Sequence, residues 1–311
     1  MGNPRKVTPT RVFAHLARKH DFRFLPDALY LKWVYQGSTG RKLELSDPQR
    51  YSQKLQWMKL YDRNPRYTTM VDKAEAKNWA AKIIGPQHII PTLGLWERFD
   101  DIDFDALPDR FVLKCTHDSH SAIICRDKSR LDKAAAKKQL EKALKRRFYY
   151  EGRQWPYKNV PPRILAEPYM ENKATGDLRD YKFFTFQGQP RVMYIATGRG
   201  TGETYGDFFD MEFNHLDLNI DHVCAPTPPE KPALFEQMKQ AAQALAQGTP
   251  QVRVDFYEVD GQFYFGEMTF FHCSGFVSFQ PDSWDTQFGQ WMPTCEQMRQ
   301  SNTILTGKRS G

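Results

Sequence analysis

The chain has 311 residues, 40% hydrophobic and 14% aromatic, which is enough apolar material for one large domain or two and excludes a low-complexity, disordered chain. No stretch approaches about 18 uninterrupted apolar residues, which excludes a membrane-spanning helix. Residues 1–150 hold 30 Lys and Arg against 17 Asp and Glu, and residues 151–311 hold 14 against 20, so the net +7 is a basic front half (+13) facing an acidic back half (−6).

That polarity suggests phosphates or an anionic surface for the first half and a metal for the second. No zinc finger, helix-turn-helix or aromatic RNA-binding strand motif is present, so no nucleic acid is expected. The five cysteines (Cys115, Cys125, Cys224, Cys273, Cys295) are scattered without a CxxC pair, so neither disulfides nor a zinc cage are expected. The N-terminus lacks an apolar signal segment, and Lys6 breaks the myristoylation pattern; a cytoplasmic protein is the expectation.

Residues 8–85 read as helical. One helix opens at Pro26-Asp27, a second after Ser46-Asp47-Pro48, and a third runs from Thr68 past Trp79 and Ala80 to Gly85-Pro86. Strand signals follow. FVLKC (111–115) and AIICR (122–126) are joined by His117-Asp118-Ser119-His120, and a helix from Ser129 places Leu140, Leu144 and Phe148 on one stripe. RILAEPY (163–169) is a further strand, and 181–186 with 191–196 form a hairpin about Gln187-Gly188. A polar, glycine-containing region (197–231), a helix near 232–247 and the hairpin VRVDFYEVDGQFYFGEMTF complete an α+β chain with antiparallel pairs.

The last hairpin carries the most chemistry. Arg253 and Asp255 share one face of a strand, Glu267 and Thr269 one face of the next. A two-residue Asp260-Gly261 turn puts Asp255 and Glu267 on opposite faces. A three-residue Val259-Asp260-Gly261 loop sets Arg253 opposite Glu267 with Asp255 diagonal, and is the reading adopted. Neighbouring carboxylates repel unless a cation joins them, which suits magnesium, and Arg253 suits a phosphoryl oxygen or an oxyanion. The plainer alternative is a solvated polar face.

Lys114 interrupts an apolar strand; it serves either a phosphate, with the 116–121 loop cradling the rest, or edge protection. Pro168 cannot donate in a ladder, which leaves Tyr169 and Met170 free for a flat heterocycle unless the strand simply ends there. Asp180 and Lys182 form a local ion pair or reach phosphate, and Arg199 sits in a glycine loop suited to close ligand approach. His272 and Cys273, if in a strand, point apart and make a poor nucleophilic pair. Lys137 through Arg147 reads as the solvated face of a helix, and a metal site at His117, Asp118 and His120 lacks further ligands.

Lys114 with its loop, Glu167-Pro168-Tyr169-Met170, Asp180-Tyr181-Lys182 and Arg253-x-Asp255 with Glu267-x-Thr269 resemble, in this order, the ATP-grasp superfamily. The phrases KLQWMKLYDRNPRYTTMVDKAEAKNW (54–79), IIPTLGLWERFDDIDFDALPDRFVLKCTHDS (89–119) and RDYKFFTFQGQPR (179–191) resemble its TupA-like branch, over about residues 24–280. The resemblance implies an ATP-grasp fold: a helical N-terminal region (1–85), two α+β lobes (86–168 and 169–285) clasping ATP, and a C-terminal tail (286–311). It implies phosphate contacts from Lys114, Lys182, Ser119 and Ser121, an adenine- and ribose-reading hinge at Glu167, Tyr169 and Met170, and magnesium on Asp255, Glu267 and Thr269.

Arg253, Lys182 and Arg199 are then the catalytic candidates. The activity implied is ATP-dependent joining of an amino acid or amine to a uronic-acid unit of a surface polysaccharide precursor, free or lipid-linked at the inner membrane face. Phosphorylation of a sugar hydroxyl and a glycosyltransferase or accessory role are the alternatives. Two positions depart from the family pattern. His120 stands where glycine is usual, and Thr269 where many members carry Asn.

Overall fold

The computed structural model describes residues 8–17, 20–172, 178–198 and 204–306. The front of the chain forms α1 (Pro9–Ala17), α2 (Asp27–Thr39), α3 (Tyr51–Tyr61), α4 (Arg66–Val71) and α5 (Glu75–Ile84). The single helix expected from Thr68 to Gly85 is therefore two. At Asp72 the backbone turns extended, and its carboxylate accepts from the Ala74 and Glu75 amides, which starts a new helix. Gly40, at φ 75°, ends α2 in the left-handed conformation that favours glycine.

A four-stranded antiparallel sheet follows from β1 (Gly94–Trp96), β2 (Phe111–Cys115), β3 (Ile123–Cys125) and β4 (Ile164–Pro168), in the order β1-β4-β2-β3. Helix α6 (Lys133–Leu144), capped by the Asp132 carboxylate on the Ala135 amide, seals one face through Ala136, Leu140 and Ala143.

The second sheet holds β5 (Asp180–Phe186), β6 (Gln189–Thr197), β7 (Tyr205–Phe209), β8 (His215–Leu216), β9 (Gln251–Val259) and β10 (Gln262–Thr269), in the order β10-β9-β5-β6-β7-β8. β7 and β8 lie within the polar, glycine-containing stretch 197–231, to which the sequence pattern assigns no element. Central β5 is buried at all seven positions. Phe183 packs on Phe235 of α7 (Phe235–Leu245), while Phe186, pointing the other way, meets Tyr51 of α3 and Phe288 of α8 (Ser283–Trp291). α3, α4 and α5 thus share one core with this sheet. The final helix is α9 (Cys295–Thr306), and among the described residues no helix is long and apolar enough to cross a membrane.

Candidate active site

β9 and β10 are joined by a two-residue turn: Val259 pairs with Gln262, and Asp260 (φ 50°) and Gly261 (φ 78°) are both left-handed. The expected three-residue loop is therefore incorrect. The two carboxylates still share a face, because a bulge between Phe265 and Glu267 inserts one residue, Gly266, and shifts the register by one. Asp255 consequently faces Glu267 and Arg253 faces Thr269. A Cβ on Gly266 would stand 3.1 Å from the Asp255 carbonyl oxygen and from the Tyr257 ring, so a side chain there would press on its neighbours by a few tenths of an ångström.

On the neighbouring strand Lys182 is paired with Asp255, which puts Asp180, Lys182, Arg253, Asp255, Glu267 and Thr269 on one face. Lys182 Nζ donates to Asp255 Oδ2 at 2.6 Å and to Asp180 Oδ2 at 2.5 Å, so the expected local ion pair is present and shared. Arg253 grips Asp255 bidentately, Nε to Oδ1 and Nη2 to Oδ2, both at 2.7 Å. Its Nη2 also reaches Thr269 Oγ1 (3.1 Å) and Glu267 Oε1 (3.3 Å), and Nη1 donates to His272 Nδ1 at 2.6 Å. Burial, then Arg253, Lys182 and His222, hold the His272 imidazole well below its ordinary value, and it remains a neutral acceptor. Burial pushes the Glu267 carboxyl up, but Lys73 leads the charges that bring it below its ordinary range.

The small sheet supplies the opposite wall. Lys114 lies on β2, an interior strand, so edge protection is excluded. Its partner is Glu167 on β4: Lys114 Nζ and Lys77 Nζ take one carboxylate oxygen each at 2.5 Å. Burial would raise the Glu167 carboxyl, yet the two lysines bring it below its ordinary range. The 116–121 loop is tied by side chains. Lys73 donates to Asp118 O (2.7 Å), Arg146 to Ser119 O (2.9 Å), and Ser121 Oγ to Asp118 Oδ1 (2.6 Å) while accepting from the Cys115 amide (2.9 Å). The single Ser121 hydroxyl proton is thus committed to the loop rather than offered to a phosphate. His120 adopts φ 68°, so the position keeps the backbone that glycine favours although the residue differs.

Between the walls lies a cavity of about 640 Å³. Lys73, Lys114, Ser119, Ser121, Arg146, Lys182, Arg253, Asp255, Glu267 and Thr269 line it. Glu167, Tyr169 and Met170 stand outside that lining. Of the two readings of Pro168, the free Tyr169 amide is not met: that amide donates to Arg110 O at 3.2 Å, and the Arg110 guanidinium lies 4.4 Å from the centre of the Tyr169 ring. Arg199 and Glu203 lie outside the described residues. Of the 197–231 region, Asp221 and His222 reach the cavity, whereas Tyr205, Asp207, Asp210 and His215 do not; Asp210 accepts from the Glu212 and Asn214 amides of its own turn.

Three cations of the site went unread in the sequence. Lys77 stands in the 3–4-spaced stripe with Ala76 and Ala80 that α5 buries, a position where a lysine needs a partner. Lys73 precedes that helix. Arg146, expected on a solvated face, turns inward to Ser119 and Glu151. His272 and Cys273 lie in a tight turn, not a strand, with Cys273 (φ 47°) and Ser274 (φ 54°) left-handed, and Cys273 Sγ stands 3.6 Å from His272 Nε2. His117 Nε2 is 3.0 Å from the Arg146 carbonyl oxygen, and His117, Asp118 and His120 form no ligand cluster among the described residues.

The sequence matches the family model of the TupA-like ATP-grasp proteins over residues 53–292, from α3 to the end of α8. The chain belongs to this family. No curated protein sequence is significantly similar to it. Among solved structures, the TupA-like chain is similar to D-alanine–D-alanine ligase from Bacillus anthracis, with 16% identity over 76% of this chain and 69% of that one (TM-score 0.44). The ATP complex of that ligase matches at 16% identity over 64% and 54% (TM-score 0.38), so the chain spans little more than half of that length. N5-carboxyaminoimidazole ribonucleotide synthetase from Thermus thermophilus matches at 15% identity over 65% and 45% (TM-score 0.36). At these scores the likenesses carry no argument about substrate or mechanism. The TupA-like ATP-grasp segment holds both walls of the cavity and leaves α1 and α2 outside.

Proposed function

We propose that the protein is an ATP-dependent carboxylate–amine ligase that joins an amino acid or amine to a uronic-acid unit of a surface polysaccharide precursor. The observation that carries this reading is the division of charge in one cavity. Lys114 and the tied 116–121 loop stand on the small-sheet wall, and three carboxylates with Lys182 and Arg253 on the large-sheet wall. Family membership supplies the nucleotide. ATP phosphates meet Lys114 and Lys182, with the base toward the Glu167–Met170 segment.

The donor set fits magnesium: the carboxylate oxygens of Asp255 and Glu267, opposed in register, and the Thr269 hydroxyl are hard oxygen ligands. Bound there, magnesium supplies positive charge to phosphate oxygens. An acceptor carboxylate attacks the γ-phosphorus and ADP leaves with the bridging oxygen. The amine nitrogen then attacks the acyl carbon, phosphate leaves with the former carboxylate oxygen, and the amine proton passes to water. Arg253, fixed by Asp255 and His272, presents a preorganised cation to the oxyanion. The uronic acid and the surface-polysaccharide setting rest on the family resemblance, and the basic front half suits an anionic, lipid-linked acceptor at the inner membrane face.

Calorimetric titration with a non-hydrolysable ATP analogue, with and without magnesium, tests the nucleotide site. Magnesium-dependent binding that Lys114→Ala removes, in a variant that still melts cooperatively above the assay temperature, supports it; binding indifferent to both overturns it. ADP release that requires uronic acid and amine together, with an amide product, supports the ligase. A phosphosugar formed without amine replaces it with a kinase.

A further inference from the structure

A second cluster of metal-ligating side chains lies at the far edge of the large sheet, with β5 and β6 between it and β9. Asp207 on β7 is fully buried. Its Oδ1 lies 2.9 Å from His215 Nε2 on β8, and its Oδ2 accepts from the Ala225 amide at 3.3 Å. Cys224, on the loop after β8, brings its sulfur into the same group, and its thiol donates to Asn219 Oδ1 at 3.3 Å. The three ligand atoms all lie within 4.8 Å of one another.

Among the described residues the side chain paired with the buried Asp207 carboxylate is His215, a metal-ligating group, rather than a lysine or arginine. One nitrogen, one oxygen and one sulfur from three separate chain positions form a mixed donor set of borderline softness, which selects zinc(II) over magnesium or calcium. A tetrahedron with bonds of about 2.0–2.3 Å has edges of about 3.5 Å, so small side-chain rotations close the cluster on an ion. His215 is exposed, which leaves an entry path and a fourth position for water.

We propose that Asp207, His215 and Cys224 bind one zinc(II) ion. Binding replaces the Asp207–His215 hydrogen bond and displaces the Cys224 thiol proton, so it strengthens as pH rises. The ion ties β7 and β8 to the 217–225 loop. That loop also carries Asp221 and His222 into the central cavity, so the ion fixes one wall of the neighbouring site. The sequence offered no such pattern, because the three residues are separated by 7 and 8 intervening positions and meet only through the β7–β8 hairpin and the loop behind it.

The test uses the reduced, chelator-stripped chain with zinc chloride as probe, and follows iodoacetamide labelling of each cysteine by peptide mass spectrometry. Zinc at low micromolar concentration is expected to slow Cys224 labelling by at least about tenfold. Cobalt(II) is expected to give a thiolate charge-transfer band that Cys224→Ser abolishes. A second trio, Asp221, His272 and Cys273, also holds metal-ligating atoms, so both measurements are repeated in Cys273→Ser, where the protection and the band persist. Unchanged Cys224 labelling in zinc, or a cobalt band lost in Cys273→Ser and retained in Cys224→Ser, overturns the proposal. The labelling arm needs no substitution, so a variant that fails to fold does not affect it.

Discussion

Lys182 Nζ stands 2.6 Å from Asp255 Oδ2 across the β5–β9 ladder, and the same oxygen accepts from Arg253 at 2.7 Å. One carboxylate, 1% exposed, therefore holds two cations from two strands. Removing it takes the bidentate anion from Arg253 and leaves Lys182 with Asp180 alone, and breaking a buried ion pair costs more than the pair was favourable. Asp255→Asn is expected to lower stability by about 3 kcal/mol in urea denaturation, while the chain still folds. The same variant is expected to lose magnesium-dependent nucleotide binding in calorimetry. Undiminished binding would show that Asp255 holds no metal.

Glu167 presents the mirror arrangement, one anion for Lys77 and Lys114. Because its carboxyl titrates below the ordinary value of 4.5, the unfolded chain takes up a proton before the folded one. Its contribution is complete above about pH 4.5 and is lost as pH falls through the depressed folded value. Glu167→Gln is expected to cost about 3–5 kcal/mol near neutral pH and to flatten the acid limb of the stability curve. Urea midpoints measured from pH 3 to 7 check both, and an unaltered acid limb would assign the slope to other carboxyls.

Much of this site was legible in the residues themselves. Lys114 stood out as a charge within FVLKC, and Asp255 and Glu267 as acids on strands. Their meeting was not legible from turn length alone. Gly266, a glycine inside a strand pattern, was the available sign of a bulge, since glycine weakens a regular strand and often marks a bulge or a close backbone approach. Lys77 was hidden for another reason: a charged residue on an amphipathic helix reads as solvated until the packing partner of that face is known. Lys73 and Arg146 lie just outside α5 and α6, where no periodicity assigns a face. The β7–β8 pair was obscured because a short strand at a sheet edge has too few residues for alternation to register.

The bulge predicts a further variant. Gly266→Ala places a methyl group 3.1 Å from the Asp255 carbonyl oxygen, which is backbone and cannot swing aside. A loss of about 1–2 kcal/mol is expected, together with weakened magnesium dependence as Glu267 is pushed out of register. Equal stability and equal magnesium response in the alanine variant would show that the bulge is dispensable.

His272, buried beside Arg253, is expected to give the site a pH response. Its folded value lies well below the ordinary 6.5, so below about pH 6.5 the unfolded state binds the extra proton and stability declines as pH falls. Above that value the contribution is complete. His272→Asn preserves a side-chain oxygen to accept from Arg253 and removes the titration. The variant is expected to lose part of the decline between pH 6.5 and 5 in thermal melts, and an identical decline would place its origin elsewhere.

The principal cations of the cavity come already matched to protein carboxylates: Lys114 to Glu167, Lys182 to Asp180 and Asp255, Arg253 to Asp255 and Glu267. An incoming polyanion is therefore not neutralising bare charge. It exchanges places with acids that are part of the scaffold, and affinity becomes a difference between two sets of ion pairs. Little mobile electrolyte is released in such an exchange, so its dependence on ionic strength is shallow compared with that of an exposed basic patch. Selectivity then rests on which anion brings its own divalent partner to occupy the acids it displaces.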